Sequence, residues 1–137
     1  KTDKVIVHGY SLGSFIATQL AKDQSIDALV LQGSATNVDD WIEAKTPWYM
    51  YPFLTINIDS AFHTVNNQNI VAKQYKSPLL IIAGDEDQQV PVELSQKLYD
   101  ASRSKNKKLI VVKGANHNTM FKSGDTTQAY IEFLTSI

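Results

Sequence analysis

Four short apolar runs divide the sequence, and each is followed by glycine or polar residues. They occupy residues 5–7, 28–31, 79–82 and 109–112. Runs of this length that do not alternate with polar residues are typical of strands buried on both faces. Segments with apolar positions three or four residues apart predict helices at 11–22, 92–102 and 126–137. The alternation predicts an α/β domain, in which a mainly parallel sheet of these four strands is flanked by helices.

The helix that follows the first run carries two rows of side chains. One row is small, and the other is large and apolar: Gly13, Ala17 and Ala21 form the first, and Leu12, Phe15, Ile16 and Leu20 form the second. A row of small residues lets a helix approach a sheet closely. On the last helix, the same spacing predicts that Tyr130, Leu134 and Ile137 point inward.

The interval between the second and third runs, residues 36–77, is too long for a simple crossover and is rich in aromatic side chains. Long connections of this kind are usually functional or carry structure of their own. We therefore expect a cap-like insertion, partly helical, within a domain that covers residues 1–137. Its residues Trp41, Trp48 and Tyr49 either contact an apolar part of a substrate or simply pack the insertion onto the sheet.

Composition narrows the range of partners. The chain has 137 residues with 13 basic and 14 acidic side chains, so its charge gives no reason to expect a nucleic-acid partner. Cysteine is absent, which excludes disulfides, a thiolate metal site and a cysteine nucleophile. No leader is visible, but the sequence opens on Lys1, so the compartment is left open with the cytoplasm as the default.

The first strand runs directly into the sequence GYSLG at residues 9–13, after which the first helix begins. A serine at such a sharp turn adopts a strained backbone conformation, and the residues two positions away must be small. The turn exposes the Ser11 hydroxyl at the carboxyl end of the sheet. It also aims the backbone N–H of Leu12 at the place where an oxyanion would form. The alternative is a glycine-flanked turn in which the serine only caps the helix.

A nucleophilic serine needs a base, and the chain has three histidines. His8 lies just before the turn and is expected to be structural or to line a pocket, while His63 lies in the aromatic insertion. His117 follows the fourth strand, at the sheet edge where α/β proteins place their ligands, and is the candidate base. The acid would come from the loop after the third strand, where spacing does not choose among Asp85, Glu86 and Asp87. Asp39 and Asp40 are weaker candidates, because they resemble a helix start.

Taken together, the sequences GYSLG, GDEDQQVP and GANHN resemble, in order and context, the motifs of the α/β-hydrolase superfamily, in particular its compact serine hydrolases. The resemblance implies that Ser11 is the nucleophile, Asp87 the acid and His117 the base, with Leu12 N–H in the oxyanion hole. It implies no metal and no cofactor. Tyr10 joins the three aromatic residues of the insertion as an expected substrate contact.

The resemblance covers the back half of that fold, strands five to eight. We therefore expect this chain to be part of a longer protein, with an N-terminal half as its partner that supplies the second oxyanion donor. Without it, the exposed strand at residues 5–7 would favour self-association.

The sequence thus predicts a serine hydrolase that acts on a small-molecule acyl substrate, a carboxylic ester, thioester or amide, through an acyl-enzyme. Two alternatives stay open: a non-catalytic binding or scaffold protein of the same fold, and a lyase or cofactor-free haloperoxidase that uses the same three residues.

Overall fold

The computed structural model describes residues 3–137 and contains a parallel sheet of four strands. Their bounds are β1 (Ile6–Tyr10), β2 (Ala28–Gln32), β3 (Leu79–Gly84) and β4 (Lys107–Val112). They lie in the order β1-β2-β3-β4, and each neighbouring pair is parallel. The four carboxyl ends consequently meet at one edge, where Tyr10 is paired with Gln32. Residues 1 and 2 of the predicted domain lie outside the described part of the chain.

Six α-helices accompany the sheet. They are α1 (Gly13–Asp23), α2 (Val38–Lys45), α3 (Ser60–His63), α4 (Asn67–Lys73), α5 (Val92–Ala101) and α6 (Gly124–Thr135). Two 3₁₀ segments, Trp48–Phe53 and Met120–Lys122, lie between them. The predicted fold class is confirmed, and the predicted strands and the three main helices differ from the observed ones by a few residues at their ends.

Successive residues of each central strand point to opposite faces, so the sheet has two cores. On one face, Leu29, Leu31 and Ile81 pack against α1, α4 and α5. On the other face, Val30 and Ile82 pack against α6 and the segment before it. On α6 the buried apolar residue is Phe133, while Tyr130 and Leu134, and Ile137 just beyond the helix, are only partly buried against the same core.

Helix α1 uses its small side chains to approach the sheet. Ala17 and Ala21 are buried in the first core, as their spacing predicted. The larger residues Leu12 and Ile16 are each 74% exposed. Small residues therefore form the face of this helix toward the sheet, and of the large apolar row Leu12, Ile16 and Leu20 are exposed while Phe15 packs against Ala35, Val90 and Leu94.

The aromatic-rich interval contains two kinds of structure. Helix α4 lies in the first core, where Ile70 and Val71 are buried. Residues 38–63 form short helices with no buried side chain. Whether the whole interval 36–77 acts as a cap stays a prediction.

Strand β1 lies at one end of the strand order, so one of its two edges has no neighbouring strand within the described residues. Within residues 3–137 its hydrogen-bonding partner is β2, on one side only. Pairing of this edge with an N-terminal half or with a second copy stays a prediction. None of the helices in the described residues is long and apolar enough to cross a bilayer.

Candidate active site

Ser11 occupies the sharp turn between β1 and α1. Its φ of 54° makes it the single non-glycine residue with positive φ in the described chain. Such a conformation is unfavourable for a residue with a side chain. Two hydrogen bonds hold the turn, since Ser11 N donates to Gln32 O at 2.9 Å and Ser14 Oγ donates to Ser11 O at 2.6 Å. The strained turn expected from GYSLG is therefore present.

The two glycines of the turn differ in what they make possible. A Cβ on Gly9 would lie 2.6 Å from both Ala17 Cβ and Ser14 Cα, so only glycine lets α1 fold back against β1 here. A Cβ on Gly13 would meet nothing within 4 Å. The expectation that both neighbours of Ser11 must be small is right for Gly9 and wrong for Gly13, because Gly13 opens α1 at a point that faces free space.

Ser11, His117 and Asp87 form a continuous chain of hydrogen-bonding atoms. Ser11 Oγ lies 2.9 Å from His117 Nε2, and His117 Nδ1 lies 2.7 Å from Asp87 Oδ2. His117 and Asp87 are buried, whereas Ser11 is partly exposed. The second carboxylate oxygen, Asp87 Oδ1, accepts hydrogen bonds from the backbone N–H groups of Gln89 and Val90 at 2.8 and 2.9 Å. The carboxylate is thus fixed by its own loop as well as by the imidazole.

The other acidic candidates have different partners. Asp85 Oδ1 accepts a hydrogen bond from Gly114 N at 2.6 Å, which ties the loop after β3 to the loop after β4. Glu86 is exposed. The carboxylate of Asp39 lies 3.3 Å from His63 Nδ1. The carboxylate of Asp40 accepts a hydrogen bond from the Thr36 hydroxyl. The structure therefore places Asp87, of the three residues that spacing left open, against His117.

Two further residues contact the His117 imidazole. Gly33, which follows β2 and has a φ of 55°, is so close that a Cβ there would lie 3.0 Å from His117 Cε1. The Tyr10 ring lies 5.0 Å from the imidazole, centroid to centroid. The Tyr10 hydroxyl donates to His117 O at 3.0 Å and to Asn118 Oδ1 at 2.7 Å. Tyr10 therefore contacts the histidine loop, and its predicted contact with substrate stays a prediction.

A buried amide lies beneath the turn. Asn67, at the start of α4, is fully buried, and the two N–H groups of its Nδ2 are shared among three acceptors, Ser14 Oγ, Ser34 Oγ and Ala35 O, at 3.0–3.3 Å. Its Oδ1 accepts from Thr18. Because Ser14 holds the carbonyl of Ser11 and Ser34 follows Gly33, this one side chain connects the supports of both Ser11 and His117.

An apolar cavity of about 530 Å³ opens beside Ser11. Its lining includes Ser11, Leu12 and Gly33, together with a set of large apolar side chains: Phe15, Trp41, Ile42, Ile58, Phe62 and Val90. Trp41 is held in this wall by a hydrogen bond from its Nε1 to Gln89 O at 2.8 Å. The volume and the apolar walls fit a small-molecule site.

The structure does not bring Trp48 and Tyr49 to this cavity. They lie in a 3₁₀ segment, are 80% and 60% exposed, and contact one another edge-on with ring centroids 6.1 Å apart. They line neither the cavity nor the core, and no residue of the segment Trp48–Phe53 is buried. Phe15 and Phe62, which line the cavity, were not among the predicted contacts, although Phe15 lies one helical turn after Ser11.

The remaining histidines lie away from Ser11. His8 packs beside the rings of Phe121 and Tyr130, which also contact one another, and its Nε2 lies 3.1 Å from Gln32 Oε1. Partial burial by these neighbours lowers the pKa of His8. Burial, followed by the nearby Asp87 carboxylate, raises the pKa of Tyr10, which keeps its hydroxyl protonated.

Comparison with known proteins identifies the family of this chain. The sequence pattern of the prolyl oligopeptidase family matches residues 1–136. The chain belongs to this family. Its fold and relatives place it in the α/β-hydrolase superfamily. It is 33% identical to human protein ABHD12B over 87% of its own length, and 29% identical to the rat lysophosphatidylserine lipase ABHD12 over 95%.

Among solved structures, this member of the prolyl oligopeptidase family resembles an esterase from Pyrococcus furiosus, with a TM-score of 0.71 and 24% identity. The likeness covers 99% of this chain and 54% of the esterase, and at this identity it shows the fold. The chain spans 38% of the length of the two curated relatives named above.

Proposed function

We propose that the protein containing this chain is a serine hydrolase that cleaves a carboxylic ester, or a thioester or amide, through an acyl-enzyme. The observation that carries the proposal is the chain of contacts from Ser11 Oγ to His117 Nε2 and from His117 Nδ1 to Asp87 Oδ2. Nucleophile, base and orienting acid at these separations are the arrangement that acyl transfer requires.

In the proposed reaction, Ser11 Oγ attacks the carbonyl carbon of the substrate while His117 Nε2 takes the hydroxyl proton. The C–O bond to the leaving group then breaks, and His117 returns the proton to the departing oxygen. Water repeats the sequence on the acyl-enzyme, which releases the acid and restores Ser11. Asp87 holds the imidazole in the tautomer with the proton on Nδ1 and stabilises its cationic form.

The oxyanion would bind at the start of α1. Leu12 is the N-cap of this helix, where the first N–H groups have no intrahelical acceptor. Its N–H follows Ser11 directly, as an oxyanion donor of this turn should. A second donor is expected from the N-terminal half predicted above.

The apolar cavity supports an acyl group of some length as the part of the substrate that binds beside Ser11. Trp41 and Phe62, both from residues 38–63, form part of its wall, and we propose that this part of the insertion covers the bound chain. A relative named as a lysophosphatidylserine lipase and structural neighbours that include an esterase and an acylaminoacyl peptidase are consistent with ester or amide substrates.

The decisive experiment uses the natural full-length protein. Wild type should hydrolyse p-nitrophenyl esters and be labelled by a fluorophosphonate, and Ser11→Ala should lose both. Ser136→Ala is the matched control, because that hydroxyl bonds only within the end of α6, to Phe133 O. Hydrolysis that survives Ser11→Ala would refute the proposal.

The same preparations separate the alternatives. A binding or scaffold protein would show neither hydrolysis nor labelling while it remains folded by circular dichroism. A lyase or cofactor-free haloperoxidase would be labelled at Ser11 but would not release acid from simple esters. Either result would replace the hydrolase proposal.

A further inference from the structure

We infer that Tyr10 is a positioning residue for His117, and that it ties the histidine loop to the strand that carries the nucleophile. The inference rests on the proposed function, since it concerns the geometry of the same reaction. Tyr10 is the last residue of β1 and directly precedes Ser11. Its side chain nevertheless contacts a loop that lies more than a hundred residues further along the chain.

The hydroxyl of Tyr10 is engaged by that loop. It lies 3.0 Å from the backbone oxygen of His117 and 2.7 Å from the side-chain oxygen of Asn118, and it donates to this pair. A tyrosine hydroxyl keeps its proton at neutral pH, so the donor is available, and burial raises the pKa of Tyr10 further. The hydroxyl therefore fixes the backbone at the catalytic histidine itself.

The ring of Tyr10 supplies a second contact. Its centroid lies 5.0 Å from that of the imidazole, with the two planes 31° apart. Gly33 also lies against the imidazole, close to Cε1 and Nδ1. The ring of His117 is therefore bounded by the backbone of Gly33 and by the side chain of Tyr10, in addition to its hydrogen bonds to Ser11 and Asp87.

This geometry matters because Ser11 and His117 lie on different connections of the sheet. Ser11 follows β1, whereas His117 follows β4, and β2 and β3 separate these strands. The 2.9 Å contact between Ser11 Oγ and His117 Nε2 therefore depends on how the two connections are held together. Tyr10 joins them directly, one residue away from the nucleophile. A displacement of about 1 Å in such a pair can cost on the order of a hundredfold in rate.

The test is steady-state kinetics of the full-length protein with p-nitrophenyl acetate, a substrate whose acyl group carries only a methyl group. Tyr10→Phe removes the hydroxyl alone and should lower kcat roughly threefold to tenfold, the effect of one hydrogen bond, with KM unchanged. Tyr10→Leu removes the ring stacking as well and should lower kcat further. The rate of fluorophosphonate labelling should fall in the same order.

Tyr75→Phe is the matched control. The Tyr75 hydroxyl also donates to a backbone carbonyl, that of Pro78 at 2.8 Å, but at the opposite end of the sheet. This variant should keep the wild-type kcat even where its melting temperature falls. Asn118→Ala provides a second approach: if the hydroxyl acts through this loop, Tyr10→Phe should cost less in the Asn118→Ala background than in wild type.

Each outcome tests either the positioning role of Tyr10 or the proposed hydrolase function. A Tyr10→Phe variant that raises KM and leaves kcat unchanged would show a substrate contact and overturn the positioning role. The positioning role is also overturned if the effects of Tyr10→Phe and Asn118→Ala simply add and Tyr10→Phe leaves kcat unchanged. If Ser11→Ala retains hydrolysis, the proposed function itself fails, whereas loss of activity in Ser11→Ala with a wild-type kcat in Tyr10→Phe refutes only the role of Tyr10.

Discussion

The imidazole of His117 lies so close to the backbone of Gly33 that it would have to move by a few tenths of an ångström to admit a Cβ there. An added Cβ would come to 3.0 Å from Cε1 and 3.2 Å from Nδ1 of the histidine. The residue that follows β2 thus shapes the space for the imidazole that follows β4. Its left-handed conformation, with φ at 55°, makes glycine favourable for a second, independent reason.

Gly33→Ala should therefore reduce both stability and catalysis. The conformation should cost about 1–2 kcal/mol of unfolding free energy, and displacement of the imidazole should lower kcat by at least roughly tenfold. Gly114→Ala separates the two effects, because Gly114 also has positive φ, 71°, but a Cβ there meets nothing within 4 Å. This control should lose a similar stability in urea titration and keep its kcat. Equal kcat values for the two variants would contradict the prediction.

The two glycines that flank Ser11 should respond differently to the same substitution. Gly9→Ala places a methyl group 2.6 Å from Ala17 Cβ and should destabilise the protein by about 1–3 kcal/mol through overpacking. Gly13→Ala meets open space and should be neutral, or stabilising by about 0.4–1 kcal/mol. Thermal unfolding measures both, and activity should follow the same order. A severe defect in Gly13→Ala would show that the turn requires both glycines.

The apolar cavity predicts a preference for longer acyl chains that depends on Trp41 and not on Trp48. Trp41→Ala should lower kcat/KM for p-nitrophenyl octanoate roughly tenfold while changing the value for the acetate ester little, because apolar contact is lost only with the longer chain. Trp48→Ala is the control, since that side chain is 80% exposed and away from the cavity. Trp41→Phe tests the hydrogen bond to Gln89, and it should retain the chain-length preference. Equal losses for Trp41→Ala and Trp48→Ala would contradict the assignment of the cavity.

His8 should make stability depend on pH. Its pKa is lowered in the folded protein, so the unfolded chain binds the proton more readily than the folded chain. The contribution of His8 is therefore present above the unfolded pKa of about 6.5, and it is lost as the pH falls below that value. His8→Gln removes the titrating group, so its unfolding free energy should fall less than that of wild type between pH 8 and pH 5. A variant that loses as much stability as wild type over this range would exclude His8 as a contributor.

The sequence predicted the parts of this molecule that depend on local pattern. Strands such as 79–82 are continuous apolar runs, and the turn at Ser11 is set by a five-residue motif whose strand and helix are adjacent in sequence. The choice of Asp87 among three neighbouring carboxylates needed the resemblance to a known family. In the structure, the reason is local to the loop: Asp87 is held by the N–H groups of Gln89 and Val90, whereas Asp85 binds Gly114.

The sequence pattern could not predict contacts between segments that are distant along the chain. Gly33 follows a strand, which is a common place for glycine, and nothing in its neighbours indicates that His117 lies against it. The sequence also did not indicate that Leu12 and Ile16, in the large apolar row of α1, are exposed. The helix carries a small and a large row, and only packing decides which of them meets the sheet. Trp48 and Tyr49 were expected either to contact substrate or to pack onto the sheet, because the interval is rich in aromatic side chains. In the structure they lie exposed in a short 3₁₀ segment.

Asn67 limits how the aromatic-rich interval can be re-engineered. Most of the interval has the character of an exchangeable loop, since residues 38–63 bury no side chain. Its last helix, however, contributes the amide that supports both Ser14 and Ser34 from below. A chimera that replaces residues 38–63 with the loop of another hydrolase exchanges part of the cavity wall and keeps this support, whereas one that replaces all of 36–77 loses the support as well. Substrate preference can thus be exchanged between relatives only if the junction lies before Asn67.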